Sequence, residues 1–222
     1  MDRLLINADR SLPALVHAGE EAWIPSPEPG VERRMLERIG GEVALASSIV
    51  RYLPGSRFPE HVHDLGEEFL VLEGTFSDED GHYTEGTYVR NPPGSRHSPF
   101  SDDGCVIFVK LRQMDAAETR SLRVHVSDRD WVPSASDGRA SAVLFRAGRV
   151  TVELERLAAG VALAPGQDVG GEELFVLEGS VRLFDVEGTI LRRWSWLRSP
   201  GKSVAGVAGP YGAVLWVKRG HL

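Results

Sequence analysis

The stretch Arg51–Gly74, RYLPGSRFPEHVHDLGEEFLVLEG, places two histidines and two glutamates within a few residues between glycines. A second stretch, Leu157–Gly179, reads LAAGVALAPGQDVGGEELFVLEG and keeps the glutamates and glycines but has no histidine. Each stretch ends in an apolar run followed by Glu-Gly, which is typical of a strand that leads into a turn. The chain therefore contains one structural motif twice, and only the first copy has several candidate metal ligands.

The duplication extends well beyond these two stretches. The segment VHAGEEAWIPS at residues 16–26 recurs as VHVSDRDWVPS at residues 124–134, and further matching segments follow in the same order. A nearly constant offset between matching segments indicates an internal duplication. We therefore predict two similar domains, residues 1–115 and residues 116–222.

Each copy contains short apolar runs that are rich in Val, Leu, Phe and Trp and are separated by turn signals such as PGS, DEDGH and NPPGS. Many short strands at regular spacing predict an all-β fold of two antiparallel barrels or jelly rolls. One segment differs, because VERRMLERIGGE at Val31–Glu42 has helical spacing. It predicts a short helix that ends at its glycine pair.

The first copy contains four candidate metal ligands. His61 and His63 are two residues apart, so both side chains leave the same face of an extended strand, and Glu67 keeps this face if the intervening DLG forms a turn or bulge. His97 follows NPPGSR, a rigid turn that could present its imidazole to that face. Three imidazoles and a carboxylate suit a divalent transition ion. We expect one ion per chain, with zinc ahead of iron, manganese and nickel.

The spacing of these residues resembles the two signatures of the cupin superfamily. From Gly55 to Gly74 the pattern G-x5-H-x-H-x3-E-x6-G matches the first signature, and from Gly86 to His97 the pattern G-x5-P-x-G-x2-H matches the second. The asparagine that usually follows the last histidine is replaced by Ser101. The resemblance implies two tandem cupin barrels, each a double-stranded β-helix of the jelly-roll type.

A closer resemblance is to the cupin domain of ChrR-type anti-sigma factors, in the segments RYLPGSRFPEHVHDLGEEFLVLEG, YVRNPPGSRHSP and GCVIFVKLRQ. In that family the cupin binds a metal and serves stress signalling, and the equivalent ligands here would be His61, His63, Glu67 and His97. ChrR-type regulators contact the sigma factor through a separate N-terminal zinc-binding domain with His and Cys ligands. Because this chain has a single cysteine, Cys105, and its repeat starts near residue 16, we expect no such sigma-binding domain in it.

The second copy differs from the first at the ligand positions. Its residues at or near the positions of the four candidate ligands are, in order, Gly166, Asp168, Glu172 and Val204. Two isolated carboxylates make a poor transition-metal site. We therefore expect a metal-free barrel that acts as a structural partner of the first. The alternative is a barrel that binds a non-metal ligand in its lumen.

Composition excludes several classes of function. A formal net charge of −7 gives no surface that would concentrate a polyanion, which argues against direct nucleic-acid binding. No apolar run reaches the length of a membrane span, and the first residues do not resemble a signal peptide, so we expect a cytoplasmic protein. The single cysteine excludes an intrachain disulfide, and its strand parity places it in the core. A homodimer is left open.

Three functions are compatible with these observations. The first is a ChrR-like sensing or regulatory module, whose first barrel binds a small or oxidised molecule and signals to a protein partner in transcriptional regulation. The second is a metal-dependent dioxygenase that acts on a small organic substrate, since cupin dioxygenases use the same ligand set. The third is a purely structural metal with no open coordination position.

Overall fold

The computed structural model describes residues 4–134, 138–163, 170–184 and 188–222. In these residues the strands are, in chain order, β1 (Leu4–Ile6), β2 (Ala14–His17), β3 (Ile24–Pro25), β4 (Val31–Gly40), β5 (Ala44–Tyr52), β6 (Ser56–Arg57), β7 (His61–His63), β8 (Glu67–Asp78), β9 (Gly81–Thr84), β10 (Thr87–Asn91), β11 (Ser95–His97), β12 (Phe100–Ser101), β13 (Cys105–Leu111), β14 (Leu122–His125), β15 (Val132–Pro133), β16 (Arg139–Ala147), β17 (Val150–Leu157), β18 (Ala162–Leu163), β19 (Glu172–Leu183), β20 (Ile190–Arg192), β21 (Ser195–Ser199) and β22 (Gly206–Arg219).

Helical structure in the described residues is limited to one turn of 3-10 helix at Val126–Asp128. Over the same residues, no helix has the length and apolar character that a membrane crossing would need. The predicted all-β class with two tandem jelly-roll barrels is confirmed.

Tertiary contacts divide the chain into two compact units. Unit 1 consists of Met1–Ala8 and Glu21–Asp128, and unit 2 consists of Asp9–Glu20 and Arg129–Leu222. Strand β2, which belongs to the first sequence repeat, is thus part of unit 2, and β14, which belongs to the second repeat, is part of unit 1. Each unit is built mainly from one repeat and takes one strand from the other. The predicted division between residues 115 and 116 follows the repeats along the sequence and stays a prediction.

The main sheet of unit 1 has the strand order β1-β4-β5-β13-β8-β10-β14, and all of its pairs are antiparallel. Strands β7 and β11 form a separate two-stranded sheet, while β6, β9 and β12 extend the far end of β8. The apolar core includes Phe69, Val89, Ile107 and Val109. Cys105 belongs to this core, as predicted, and burial raises the pKa of its thiol to about 11.

The main sheet of unit 2 has the order β15-β16-β17-β22-β19-β21-β2, in which β15 corresponds to β3 of unit 1 and the other strands correspond in turn to β4-β5-β13-β8-β10-β14. The first strand of the first repeat closes this sheet through the register Val16↔Trp196 and His17↔Ser195. In unit 1, β14 occupies the same position through Tyr88↔Val124 and Thr87↔His125. Two sequence repeats with matching hydrophobic patterns have thus produced two sheets with matching topology.

The helix predicted at Val31–Glu42 is wrong, because residues Val31–Gly40 form strand β4 between β1 and β5. The register of β4 against β5 shifts between Met35 and Glu37, where a bulge inserts Leu36. A bulge interrupts the two-residue alternation of a strand, so that the apolar positions on either side of it imitate helical spacing. Pairing along both edges then determines the conformation of this segment.

Candidate metal centre

The three candidate imidazoles come from the small β7/β11 sheet. His61 and His63 occupy alternate positions of β7, so both side chains leave the same face. His97 is the last residue of β11 and lies opposite His61, while Ser95 lies opposite His63. Antiparallel pairing therefore brings His97, which is 34 residues away from His63, onto the same face of this sheet.

A tight turn carries Glu67 toward the histidines. The turn runs from Asp64 to Gly66, and the amide of Gly66 donates a hydrogen bond to the carbonyl of His63 over 3.2 Å. Gly66 has a φ of +75°, and a Cβ there would lie 2.5 Å from Sδ of Met114. Only glycine meets both conditions. The predicted turn at DLG is confirmed, and Glu67 begins β8 directly after it.

The four predicted ligands are brought together. The ligand nitrogens of His61, His63 and His97 lie within 4.8 Å of one another, and the latter two histidines are buried. Nε2 of His63 is 3.0 Å from Nε2 of His97. The Oε2 atom of Glu67 lies 3.4 Å from the first of these nitrogens and 3.6 Å from the second. The cluster of three histidines could therefore bind a metal, while the complete set of four ligands stays a prediction.

Hydrogen bonds outside the cluster fix which nitrogen of each ring faces it. Nδ1 of His61 lies 2.9 Å from the carbonyl oxygen of Pro59, which can only accept, so this nitrogen donates. Nδ1 of His97 lies 3.1 Å from Oδ2 of Asp78 and donates to that carboxylate. Both rings consequently present a bare Nε2 to the cluster. Carboxylate and carbonyl partners of this kind orient metal-binding histidines and make them more basic.

The donor set fits a divalent ion. Two neutral imidazole lone pairs facing each other at 3.0 Å repel unless a proton or a cation lies between them. The 3.0 Å between these two nitrogens is short enough for both to contact a single divalent ion, and imidazole is a preferred ligand of such ions. The residues that would hold the ion are therefore the three histidines, with Glu67 supplying a negative charge beside them.

Electrostatics distinguish the two buried histidines. Burial lowers the pKa of His63, even though the neighbouring Glu67 carboxylate acts against this shift. In His97 the effect of burial is outweighed by the hydrogen bond to Asp78 and by the charge of Glu67, so its pKa is raised. Burial opposes ionisation of Glu67, but the two histidines and the side chain of Asn91 hold its pKa below the usual value. The cluster thus retains an ionised carboxylate.

Sequence reasoning missed two residues that support the ligands. Asp78 lies at the end of β8, where it also accepts a 2.9 Å hydrogen bond from the Tyr83 hydroxyl. Asn91 is opposite Glu67 in the β10/β8 register and donates to its Oε2 over 2.9 Å. The repeat contains a signal for Asn91. The corresponding residue of the second copy, opposite Glu172, is Ser199, and that copy lacks the three imidazoles. The asparagine thus occurs only in the copy that has the histidines.

Replacing Asp78 with asparagine should weaken metal binding by roughly 10- to 100-fold, because it removes the carboxylate that orients and polarises the His97 ring. All four predicted ligands remain in this variant. Competition with a chromogenic chelator measures the change in Kd. Asp102→Asn, an acid-to-amide change at an exposed residue of the same unit, is the matched control. An unchanged Kd in Asp78→Asn would mean that the charge of the Asp78 carboxylate does not support metal binding.

A cavity of about 380 Å³ opens beside the cluster, and His61, His63 and Glu67 form part of its wall. Much of the remaining wall is apolar and comes from the inner faces of β4, β5 and β13, including Val31, Val50, Tyr52, Ile107, Val109 and Leu111. Charged side chains also line it, among them Arg33, which is paired with Glu42, and Arg112, which is paired with Asp64. The cavity can hold a small molecule in contact with the ligand residues.

The second copy has a different arrangement at the corresponding place. Gly166 and Asp168 lie outside the described residues. Glu172 is buried, but the expectation that it is an isolated carboxylate is wrong, because it accepts hydrogen bonds from Arg219 and from the backbone amide of Val204. A side-chain cation and a backbone donor therefore satisfy this carboxylate within unit 2.

The fold and the histidine cluster define a cupin of the two-barrel type. The family profile of the ChrR cupin-like domain matches residues 12–115 and again residues 119–222, and the chain belongs to this family. Among curated proteins, no relative is detected.

Solved structures show the same architecture at low sequence identity. A candidate dioxygenase from Nostoc punctiforme is 14% identical, with a TM-score of 0.75 over 96% of this chain and 84% of that chain. A candidate glyoxylate-induced protein from Pseudomonas aeruginosa is 15% identical, with a TM-score of 0.70 over 95% of this chain and 89% of that chain. The pirin YhhW from Escherichia coli, solved with nickel(II), is 13% identical, with a TM-score of 0.64 over 94% and 98%. At these identities the likeness concerns the fold.

Proposed function

We propose that unit 1 is a metal-dependent receptor for a small organic molecule and acts as a ChrR-like sensing module. The observation that carries this proposal is the continuity of the 380 Å³ cavity with His61, His63 and Glu67. A ligand in the cavity lies against the ligand residues, so it can change the charge or coordination at the cluster. A metal bound there supplies a Lewis acid that polarises an oxygen or nitrogen of the ligand.

The cavity wall supports a particular class of ligand. The side chains of Val31, Val50, Ile107 and Leu111 favour an apolar or aromatic body, while the imidazoles at one end favour a polar group that coordinates the ion. Two arginines of the wall, Arg33 and Arg112, are paired with carboxylates, and the third, Arg38, donates to the backbone carbonyls of Gly41 and Glu42. Any positive charge that the wall offers to an anion therefore comes mainly from Arg38. A compact, mostly apolar molecule with one coordinating oxygen or nitrogen fits this wall best.

The biological setting is part of the same proposal. Membership of the ChrR cupin-like family supports a role in regulation, and the proposed partner is a protein of the transcription machinery rather than DNA or RNA. The acidic composition supports the exclusion of direct nucleic-acid binding. We place this activity in the cytoplasm, with zinc as the first candidate ion.

A dioxygenase is the second candidate, and the same cavity favours it, because an enzyme also needs a substrate beside an accessible ion. The candidate dioxygenase from Nostoc punctiforme has the same fold, and the nickel-bound pirin shows that a barrel of this architecture can hold a transition ion. Iron or nickel in place of zinc would be the distinguishing feature. Tyr52 is a buried hydroxyl on the cavity wall. Burial and the nearby Glu67 raise its pKa well above 10, so it stays protonated.

Metal analysis separates these two functions. The protein is purified without added metal, its metal content is determined by mass spectrometry, and oxygen consumption is followed with a panel of small phenols, aromatic acids and diketones. Zinc, together with ligand-dependent thermal stabilisation and no oxygen uptake, supports the receptor. Iron with stoichiometric oxygen uptake supports the dioxygenase. A metal-loaded protein that binds no member of the panel and consumes no oxygen favours a structural ion.

Val50→Phe should weaken small-molecule binding without removing the metal. Val50 lines the cavity from β5, and a phenylalanine there fills space that the ligand would occupy. We expect affinity for any ligand found in the panel to fall at least tenfold, about 1.4 kcal/mol. Metal content should be unchanged, since Val50 is not a predicted ligand. Val143→Phe, on the exposed face of β16, is the matched control. Unaltered ligand affinity in Val50→Phe would place the binding site elsewhere.

A further inference from the structure

Unit 2 contains a buried arginine where unit 1 has its metal cluster. Glu67 and Glu172 are the same residue of the repeated GEE motif, and each is the first residue of its long strand. In unit 1 the residue opposite Glu67 on β13 is Leu111. In unit 2 the residue opposite Glu172 on β22 is Arg219. The second copy thus has a cationic side chain at a place where the first copy has an aliphatic one.

The guanidinium of Arg219 is surrounded by three carboxylates. Its Nε donates to Oε1 of Glu172 over 2.7 Å, and one Nη donates to Oε1 of Glu155 over 2.6 Å. The other Nη donates to Glu153. Glu153 and Glu155 occupy alternate positions of β17, so both face inward with the adjoining core residue Leu157. Each of these four side chains is at most 16% exposed.

Charge in this cluster is not fully balanced by Arg219. Three carboxylates surround one guanidinium, a further arginine, Arg139, lies 3.5 Å from the second oxygen of Glu155, and the charge of Arg146 acts on Glu153. Burial raises the pKa of Glu153 and of Glu172, and the charge of Arg219 opposes both shifts. A buried carboxylate set that loses its guanidinium must gain a proton or another cation. Carboxylate oxygens are the ligands that hard divalent ions prefer.

We propose that Arg219 decides which half of this chain accepts a metal: its guanidinium is the resident cation of unit 2 and excludes divalent ions from Glu153, Glu155 and Glu172. The loss of imidazoles in the second copy removes affinity for transition ions. The guanidinium of Arg219 then occupies the three carboxylates of this copy. This inference rests on contacts within unit 2 and holds whether unit 1 is a receptor, an enzyme or neither.

The test replaces Arg219 with leucine, because Leu111 occupies the corresponding position opposite Glu67 in unit 1. The substitution is made in a chain that also has His61→Ala and His63→Ala, so that the first cluster does not contribute. We expect the Arg219→Leu chain to bind about one Mn²⁺ per chain, measured by the loss of the free-ion electron paramagnetic resonance signal. Its thermal unfolding midpoint should fall without Mn²⁺ and recover when the ion is added.

Two control variants keep the test decisive. Arg219→Lys retains a cation among the carboxylates and should bind no additional Mn²⁺. Arg219→Leu with Glu172→Gln lacks one carboxylate and should lose most of the gain. If Arg219→Leu alone does not fold, Arg219→Gln, which is neutral but keeps a polar side chain among the same three carboxylates, gives the same comparison. A folded Arg219→Leu chain that binds no more Mn²⁺ than its parent overturns the proposal, as does equal binding by Arg219→Lys.

Discussion

Replacing His61 and His63 together with alanine should abolish metal binding while the chain stays folded. Both residues are predicted ligands on the same face of β7, and their loss leaves one imidazole and one carboxylate, which is too few donors to hold a transition ion. The backbone pairing of β7 with β11 does not depend on these side chains. The main sheet of unit 2 forms in a repeat that has no histidine at the positions of His61 and His63, so the equivalent main sheet of unit 1 is not expected to require them.

The measurements are metal content after dialysis and far-UV circular dichroism. His82→Ala with His125→Ala is a matched control, because both histidines belong to unit 1 and form hydrogen bonds to other residues outside the cluster. We expect one ion per chain in the parent and in the control, and none in the double variant. Two ions per chain in the parent, or full occupancy in the double variant, would contradict the assignment.

Acidification should release the metal before the chain unfolds. An imidazole binds a metal only in its neutral form, so protons compete with the ion at three sites at once. His97 should be the first to take a proton, because Asp78 and Glu67 raise its pKa against the effect of burial. His63 resists protonation, since burial lowers its pKa. The reference pKa of histidine is about 6.5, and tighter metal binding lowers the pH at which half of the metal is released. We therefore expect release at roughly pH 4.5 to 5.5.

In the metal-free protein, protonation of these two histidines should change the stability of the fold in opposite directions. The raised pKa of His97 contributes stability that is present below the unfolded value of 6.5 and is lost as the pH rises through the folded value. The lowered pKa of His63 costs stability as the pH falls below 6.5. These contributions partly cancel, so acid should affect metal content far more than folding in this range.

Parallel titrations of metal content and circular dichroism test this order of events. Metal loss at a higher pH than the loss of structure is the expected result. Coincident loss would show that the ion stabilises the whole chain. Metal that persists until after unfolding would show that histidines are not its ligands.

The sequence was a good guide where function depends on local spacing. Two histidines two residues apart on a strand share a face whatever surrounds them, and a glycine with positive φ between His63 and Glu67 returns the chain toward them. The repeat also provides a comparison, because the three histidines occur in the first copy alone, whereas Glu67 recurs as Glu172 and is identified by its spacing from His63. The strands, the duplication and the four clustered side chains were accordingly predicted.

Features that depend on which strands become neighbours were not predicted. The bulge at Leu36 made β4 resemble a helix, since periodicity does not distinguish an interrupted strand from a helical turn. Asp78 and Asn91 reach the cluster through cross-strand register and have no fixed sequence distance from the histidines. Their roles follow from pairings between separate segments of the chain.

By itself the sequence determined the fold class, the duplication and the residues that form the histidine cluster, because these follow from side-chain alternation and turn chemistry over short distances. Only the tertiary structure decided that β2 and β14 each join the unit built mainly from the other repeat, and that Arg219 lies among three carboxylates. Both outcomes depend on long-range antiparallel register. Such register is selected by the burial of whole sheet faces, and no single local pattern specifies it.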